Sequence, residues 1–144
     1  MTLYAKTFEQ LSGAQVYEIL KARAAVFTME QEIRYPDMDD IDYRSVHCFF
    51  ERDGKVVAYL RAFAEETAHC FHVGRVLTTV RGAGLRRQLL EQSLQVLRER
   101  YGCRKVVLHS QTGAAGFYEK VGFHTVGGVF TEAGIPHVKM EREL

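Results

Sequence analysis

The chain has 144 residues, 47% apolar and 26% charged. That length suits one domain over 1–144, and the makeup excludes disorder, collagen-like repeats and low complexity. Lysine plus arginine number 19 against 18 acids, a net charge of +1, so no nucleic-acid partner is expected through bulk charge.

No apolar run approaches the roughly 20 residues of a bilayer span, and Met1–Lys6 lacks the apolar stretch of a secretion signal. Cys48, Cys70 and Cys103 are odd in number and form no CxxC. The expectation is a reduced, cytoplasmic setting with no disulfide framework and no membrane partner.

Leu3–Phe8 alternates as a first strand. Ser12 offers a helix N-cap, and Val16, Ile19, Leu20, Ala24 and Phe27 continue at helical spacing, which predicts a helix over 12–27. Residues 30–42 carry six acids (Glu30, Glu32, Asp37, Asp39, Asp40, Asp42) against Arg34 alone, an acidic loop with a helical turn. Ser45–Arg52 and Lys55–Ala64 read as strands, and Asp53-Gly54 between them is a hairpin signal. A third strand, His69–Thr79, runs antiparallel to its predecessor.

Leu85, Leu89, Ser93, Leu97 and Tyr101 predict a helix ending at Gly102, where a C-cap favours a left-handed residue. Lys105–His109 is a short buried strand and Ala114–Val121 a short helix. Gly122–Phe130 and His137–Glu141 are the final strands. The order β-α-β-β-β-α-β-α-β-β predicts an α/β (α+β) fold with a mixed sheet, and no repeat or linker is visible.

The bend Arg81-Gly82-Ala83-Gly84-Leu85-Arg86-Arg87 ends a strand and opens a helix. Unpaired N–H groups and the helix dipole favour an anion there, and the glycines permit close backbone approach. The plainer reading is a strand–turn–helix corner with surface arginines. No Gly-Lys-Ser/Thr follows, so the bend is not a Walker A loop. Arg87 stands where the third glycine of a Rossmann fingerprint would fall.

Residues 81–105 hold seven basic groups against Glu91 and Glu99. A basic half and an acidic half suit a phosphate-bearing cofactor meeting a cationic substrate. Asp37-x-Asp39 fails as an EF-hand, since Cys48 stands where Glu is required. In His69-Cys70-x-His72, a strand turns His69 away from the other two, so no metal is expected.

Four stretches together resemble the GNAT N-acetyltransferase superfamily, and within it the ElaA-like proteins. They are Ala24–Gln31 with Tyr35 and Asp37-Met38-Asp39; Gly74-Arg75-Val76 through Leu85; Gln111 with Phe117–Phe123; and Gly134–His137 with Met140. The resemblance implies an acyltransferase that moves acetyl from acetyl-CoA to a primary amine, on a small molecule or a protein. The alternative is a non-catalytic module that binds acyl-CoA, or a protein partner, on the same fold.

The same resemblance implies a cleft where two parallel strands splay apart. Backbone groups of Val76, Leu77 and Thr78 would pair with the pantetheine arm. Arg81 and the N–H groups of Gly82, Ala83, Gly84, Leu85, Arg86 and Arg87 would hold the pyrophosphate of coenzyme A. Arg86 departs from the pattern, filling its last small position; it either blocks close approach or adds a phosphate contact. Tyr118 aligns with the general acid, Phe117 with a wall of the site, and Gln111 with a group that orients an amide.

Glu30 is the expected base, with Asp37, Asp39, His72 and His137 as further candidates. Gln31, Tyr35 and Arg75 complete the acceptor side. The same resemblance, in which exposed late strands often pair between chains, leaves a homodimer open.

Overall fold

Ser12 Oγ accepts from Gln15 N at 3.1 Å, and Gln15 Oε1 accepts from Ser12 N at 3.0 Å. This reciprocal capping box starts the first helix. In the computed structural model, which describes residues 1–82 and 84–144, α1 spans Gly13–Arg23 and passes into a π-helical stretch, Ala24–Glu30. The expected end at Phe27 moves to Glu30 because the wider hydrogen bonds carry the chain onward, Gln31 N reaching Val26 O at 2.9 Å.

The strands are β1 (Tyr4–Thr7), β2 (Val46–Arg52), β3 (Lys55–Ala64), β4 (Cys70–Thr78), β5 (Lys105–Gln111), β6 (His124–Glu132) and β7 (Ile135–Glu143). The remaining helices are α2 (Leu85–Tyr101) and α3 (Ala115–Lys120). The expected element order holds. Asp53 and Gly54 both take positive φ, 54° and 75°, as a type I′ hairpin turn requires. Gly102 closes α2 at φ 65°. β6 keeps its expected length but lies two residues later, and β7 is longer than expected because it pairs with β5 from Lys105↔Glu143 to Gln111↔His137.

One sheet results, ordered β1-β2-β3-β4-β5-β7-β6. Its neighbours are antiparallel except β4 and β5, which are parallel. On one face α2 buries Leu85, Leu89, Leu90, Leu94 and Leu97 against Cys48, Phe50, Leu60, Val73, Val106 and Leu108. On the other, Ile19, Ala22 and Val26 pack against Phe49, Tyr59 and Leu77. Burying each such leucine is worth about 1.5–3 kcal/mol.

The parallel pair is brief. β4 and β5 pair from Cys70↔Lys105 to Val73↔Leu108 and no further. Just beyond, β4 bulges: Arg61 pairs with Gly74 but Tyr59 pairs with Leu77, and Arg75 takes φ 53°. An extra residue bends its strand and increases twist. β4 therefore follows β3 while β5 follows β7, and the two strands part.

Candidate functional site

A cleft of about 460 Å³ opens at this parting. It gathers eleven of the expected residues: Gln31, Tyr35, Asp37, Asp39, His72, Arg75, Val76, Arg86, Gln111, Tyr118 and His137 all line it. Gln111 Nε2 donates to Gln31 Oε1 at 3.1 Å across the opening.

The other expected residues, among those described, do not line the cleft. Glu30, on the last turn of the π-helical stretch, points to solvent and sits 3.7 Å from Arg81, with its side chain 60% exposed. Glu30 is thus exposed and is not among the residues that line the cleft. The Leu77 side chain is buried beside Ile19 and Tyr59, so Leu77 offers backbone groups only, while Thr78 pairs with Ala58 and is half-buried. Arg81, Gly82, Gly84, Leu85 and Arg87 form the bend at the head of α2, and Phe117 lies behind Tyr118. Ala83 lies outside the described residues.

Gly82 and Gly84 take φ 77° and 63°, the left-handed region that glycine enters without a Cβ penalty. Gly84 is the N-cap of α2, and the first helical bond is Gln88 N to Gly84 O at 3.0 Å. The first-turn N–H groups of Leu85, Arg86 and Arg87 thus have no carbonyl one turn earlier in the helix. The side chain of Arg87 turns away to Glu91 at 3.2 Å. That of Arg86 lies over the Phe117 ring, 3.9 Å from its centre.

Tyr118 is 7% exposed, with its ring edge-on to Phe117 and Phe123. Burial pushes its hydroxyl up to about 12, and the charge of Arg86 opposes the shift. It is a fully protonated phenol at neutral pH.

The acidic loop differs from its expected electrostatics. Arg23, 0% exposed, donates from Nε to Asp37 Oδ2 at 2.8 Å and from Nη1 to Asp42 Oδ1 at 2.7 Å. Arg61 donates to Asp39 at 2.7 and 2.6 Å and to Asp42 at 3.1 Å. Arg75 Nε donates to Asp37 Oδ1 at 2.9 Å. Three arginines thus neutralise three aspartates.

The hydrogen bonds from Arg61 bring the Asp39 carboxyl down to about 2. Burial alone would lower Arg23, but its bond to Asp42 reverses that and holds it charged. The loop therefore presents ion pairs to the cleft rather than free negative charge. Arg61 was not anticipated; its signal was a lone cation inside the apolar run Val56–Phe63, a residue type almost never buried unless paired.

Elsewhere along the cleft, His72, His109 and His137 converge with Glu65 and Glu132. The Nδ1–H of His72 donates to Glu65 Oε1 at 3.0 Å, and that of His109 to Glu132 Oε1 at 2.8 Å. His137 Nδ1–H donates to Ile135 O at 2.7 Å, leaving Nε2 3.7 Å from Glu132. Burial, then the neighbouring His109, lowers His72 below its usual value. His109 was missed, though β-alternation from Gln111 puts it on the same face. Among the described residues, no three His, Cys, Asp or Glu side chains form a cluster able to hold a metal. No helix among them is long and apolar enough to cross a membrane.

Comparison with known proteins bears on this arrangement. The model of the acetyltransferase (GNAT) domain matches residues 9–144. The chain belongs to the GNAT acetyltransferase family. It is similar to ElaA of Escherichia coli, 32% identical over 94% of this chain and 92% of that one. The crystal structure of E. coli ElaA superposes with a TM-score of 0.90, covering 99% of both chains at 30% identity.

An acyl-CoA N-acyltransferase from Pseudomonas aeruginosa superposes equally well, with a TM-score of 0.90, 30% identity and 99% of both chains covered. The UPF0039 protein C11D3.02c of Schizosaccharomyces pombe is 36% identical over 96% of this chain and 95% of its own length. The chain is thus an ElaA-like member of the family, with the mixed sheet and the parallel strand pair that the resemblance implies.

Proposed function

We propose that this protein transfers an acetyl group from acetyl-CoA to a primary amine by direct attack. The observation that carries the reading is the parting of β4 and β5 beyond Val73 and Leu108. It leaves a cleft between the N-terminus of α2 and a wall holding a buried, protonated tyrosine. The similarity to an acyl-CoA N-acyltransferase supports the thioester as donor.

In this reading the diphosphate of coenzyme A sits on the first-turn N–H groups of α2, where backbone donors and the helix dipole favour an anion. The pantetheine arm lies along the freed edge of β4 at Val76–Thr78, as an added strand would. A backbone N–H of that edge stabilises the oxyanion that forms when the amine attacks the thioester carbonyl. The carbon–nitrogen bond forms, the carbon–sulfur bond breaks, and the departing thiolate takes the Tyr118 proton.

Release of coenzyme A thiol in the presence of a panel of amines tests this. Thiol release that depends on the amine, with the N-acetyl product detected by mass, is the expected result. Tight thioester binding with no transfer to any amine would make the protein an acyl-CoA-binding module instead.

A further inference from the structure

His72 projects from β4 one residue before the last β4–β5 pair. Its ring is held on three sides. Phe63 stacks on it, 4.9 Å between centres with planes 16° apart; His109 meets it edge-on at 4.8 Å; and its Nδ1–H donates to Glu65 Oε1 at 3.0 Å. A carboxylate only accepts, so this bond fixes the proton on Nδ1 and leaves the Nε2 lone pair outward. Among the described residues no hydrogen bond to Nε2 is made. His72 lines the cleft, and a Cβ at Gly74 would stand 4.0 Å from its Cδ2, an ordinary contact.

We propose that His72 is the general base of the transfer, taking a proton from the acceptor ammonium through Nε2 while Glu65 holds its ring and tautomer. This rests on the acetyl-transfer reading above. One ammonium proton passes to His72, and the freed lone pair attacks the thioester carbonyl. As the carbon–sulfur bond breaks, Tyr118 protonates the thiolate. The second nitrogen proton then returns through water to the Tyr118 phenolate. The product is the N-acetyl amide and free thiol, and His72 passes its proton to solvent.

The groups facing His72 set its titration. Burial disfavours the imidazolium first, and His109 of β5 adds like-charge repulsion. Glu65 of the β3–β4 turn and Glu132 of β6 oppose these effects. His137 of β7 stands beyond Glu132, and Arg44 and Arg61 flank the Phe63 ring that covers His72. A base kept neutral at physiological pH and released into the cleft suits the deprotonation of an amine.

The test follows kcat/KM against pH with acetyl-CoA and whichever of putrescine, glucosamine and a lysine-containing peptide the parent acetylates fastest. The parent should lose activity on an acid limb below neutral pH. His72→Gln should lose 10²-fold or more in kcat/KM, abolish that limb and still bind acetyl-CoA by calorimetry. Two milder variants give opposed shifts. Glu65→Gln keeps a hydrogen-bond acceptor but removes the charge favouring imidazolium, so the limb should move to lower pH. His109→Gln removes like-charge repulsion, so it should move to higher pH.

A merely structural role for His72 would not produce opposite displacements. Activity of His72→Gln within threefold of the parent, or limbs unmoved in both milder variants, would overturn the proposal. A parent that binds acetyl-CoA but acetylates none of the three amines would instead overturn the acetyl-transfer reading, and the base assignment with it.

Discussion

Replacing Tyr118 with phenylalanine separates chemistry from packing at the cleft. The ring fills the corner between Phe117 and Phe123, 5.1 and 5.9 Å centre to centre, and phenylalanine preserves that packing. The hydroxyl has no hydrogen bond to a described residue, so its removal should cost under about 1 kcal/mol of stability. The catalytic loss should be far larger. With burial holding the phenol near 12, Tyr118 remains a proton donor across the working pH range.

General acid catalysis is worth about 10²–10⁴ in rate, or roughly 3–5 kcal/mol at 1.36 kcal/mol per decade. Stopped-flow thiol detection with saturating acetyl-CoA and amine should thus show kcat falling by that factor. Thioester affinity by calorimetry should stay within threefold. Turnover of the variant within threefold of the parent would refute the role of Tyr118 as the acid.

Other parts of the molecule make further predictions. Arg23→Ala strands Asp37 and Asp42, each still holding one other arginine. Breaking a buried pair typically costs 3–5 kcal/mol, and the remaining partners set the expected loss at about 3 kcal/mol in urea unfolding; a loss under 1 kcal/mol would count against the ion-pair scaffold. His47, 2% exposed, accepts a hydrogen bond from the Tyr59 hydroxyl on Nδ1 at 2.7 Å and donates from Nε2 to Asp42 O at 2.9 Å.

Burial chiefly lowers His47 from its usual 6.5, so below 6.5 the unfolded chain binds more protons than the native one. Its contribution to stability is complete above pH 6.5 and is lost as pH falls toward the lowered native value. The urea midpoint should rise from pH 5 to 7, and His47→Gln should flatten that rise. Arg86→Ala removes both the Phe117 stack and the charge that favours the Tyr118 phenolate. Stability should fall by about 1 kcal/mol and kcat should fall more than affinity; reduced affinity with unchanged kcat would make Arg86 a phosphate ligand instead.

Most of the fold was legible because local signals were strong and mutually consistent. Ser12 with Gln15, Asp53-Gly54 and Gly102 each fix a boundary through a short-range hydrogen bond or a positive φ. The π-helical run past Phe27 was not legible, since apolar spacing alone does not distinguish i−4 from i−5 bonding. The acidic loop was misread electrostatically for a different reason. Arg23, Arg61 and Arg75 lie 14 to 38 positions from their aspartate partner Asp37 or 19 to 36 from Asp39 and Asp42, so counting charges along one segment could not see them.

The same distance effect governs the site. The bend of Gly82 and Gly84 was visible as a local motif and Tyr118 through the family resemblance, whereas the contact of His72 with His109 exists only once β4 and β5 lie side by side. Glu30 matched an expectation of charge, yet its position on the last π-helical turn sends it to solvent.

The proposed seat for a diphosphate on the first turn of α2 underlies the acetyl-transfer reading. Calorimetric titration of folded protein with coenzyme A, set beside pantetheine, which lacks the diphosphate, tests it most directly. The account predicts saturable heat with coenzyme A and at least tenfold weaker binding of pantetheine. Equal affinities, or no heat with coenzyme A at millimolar concentration, would contradict it.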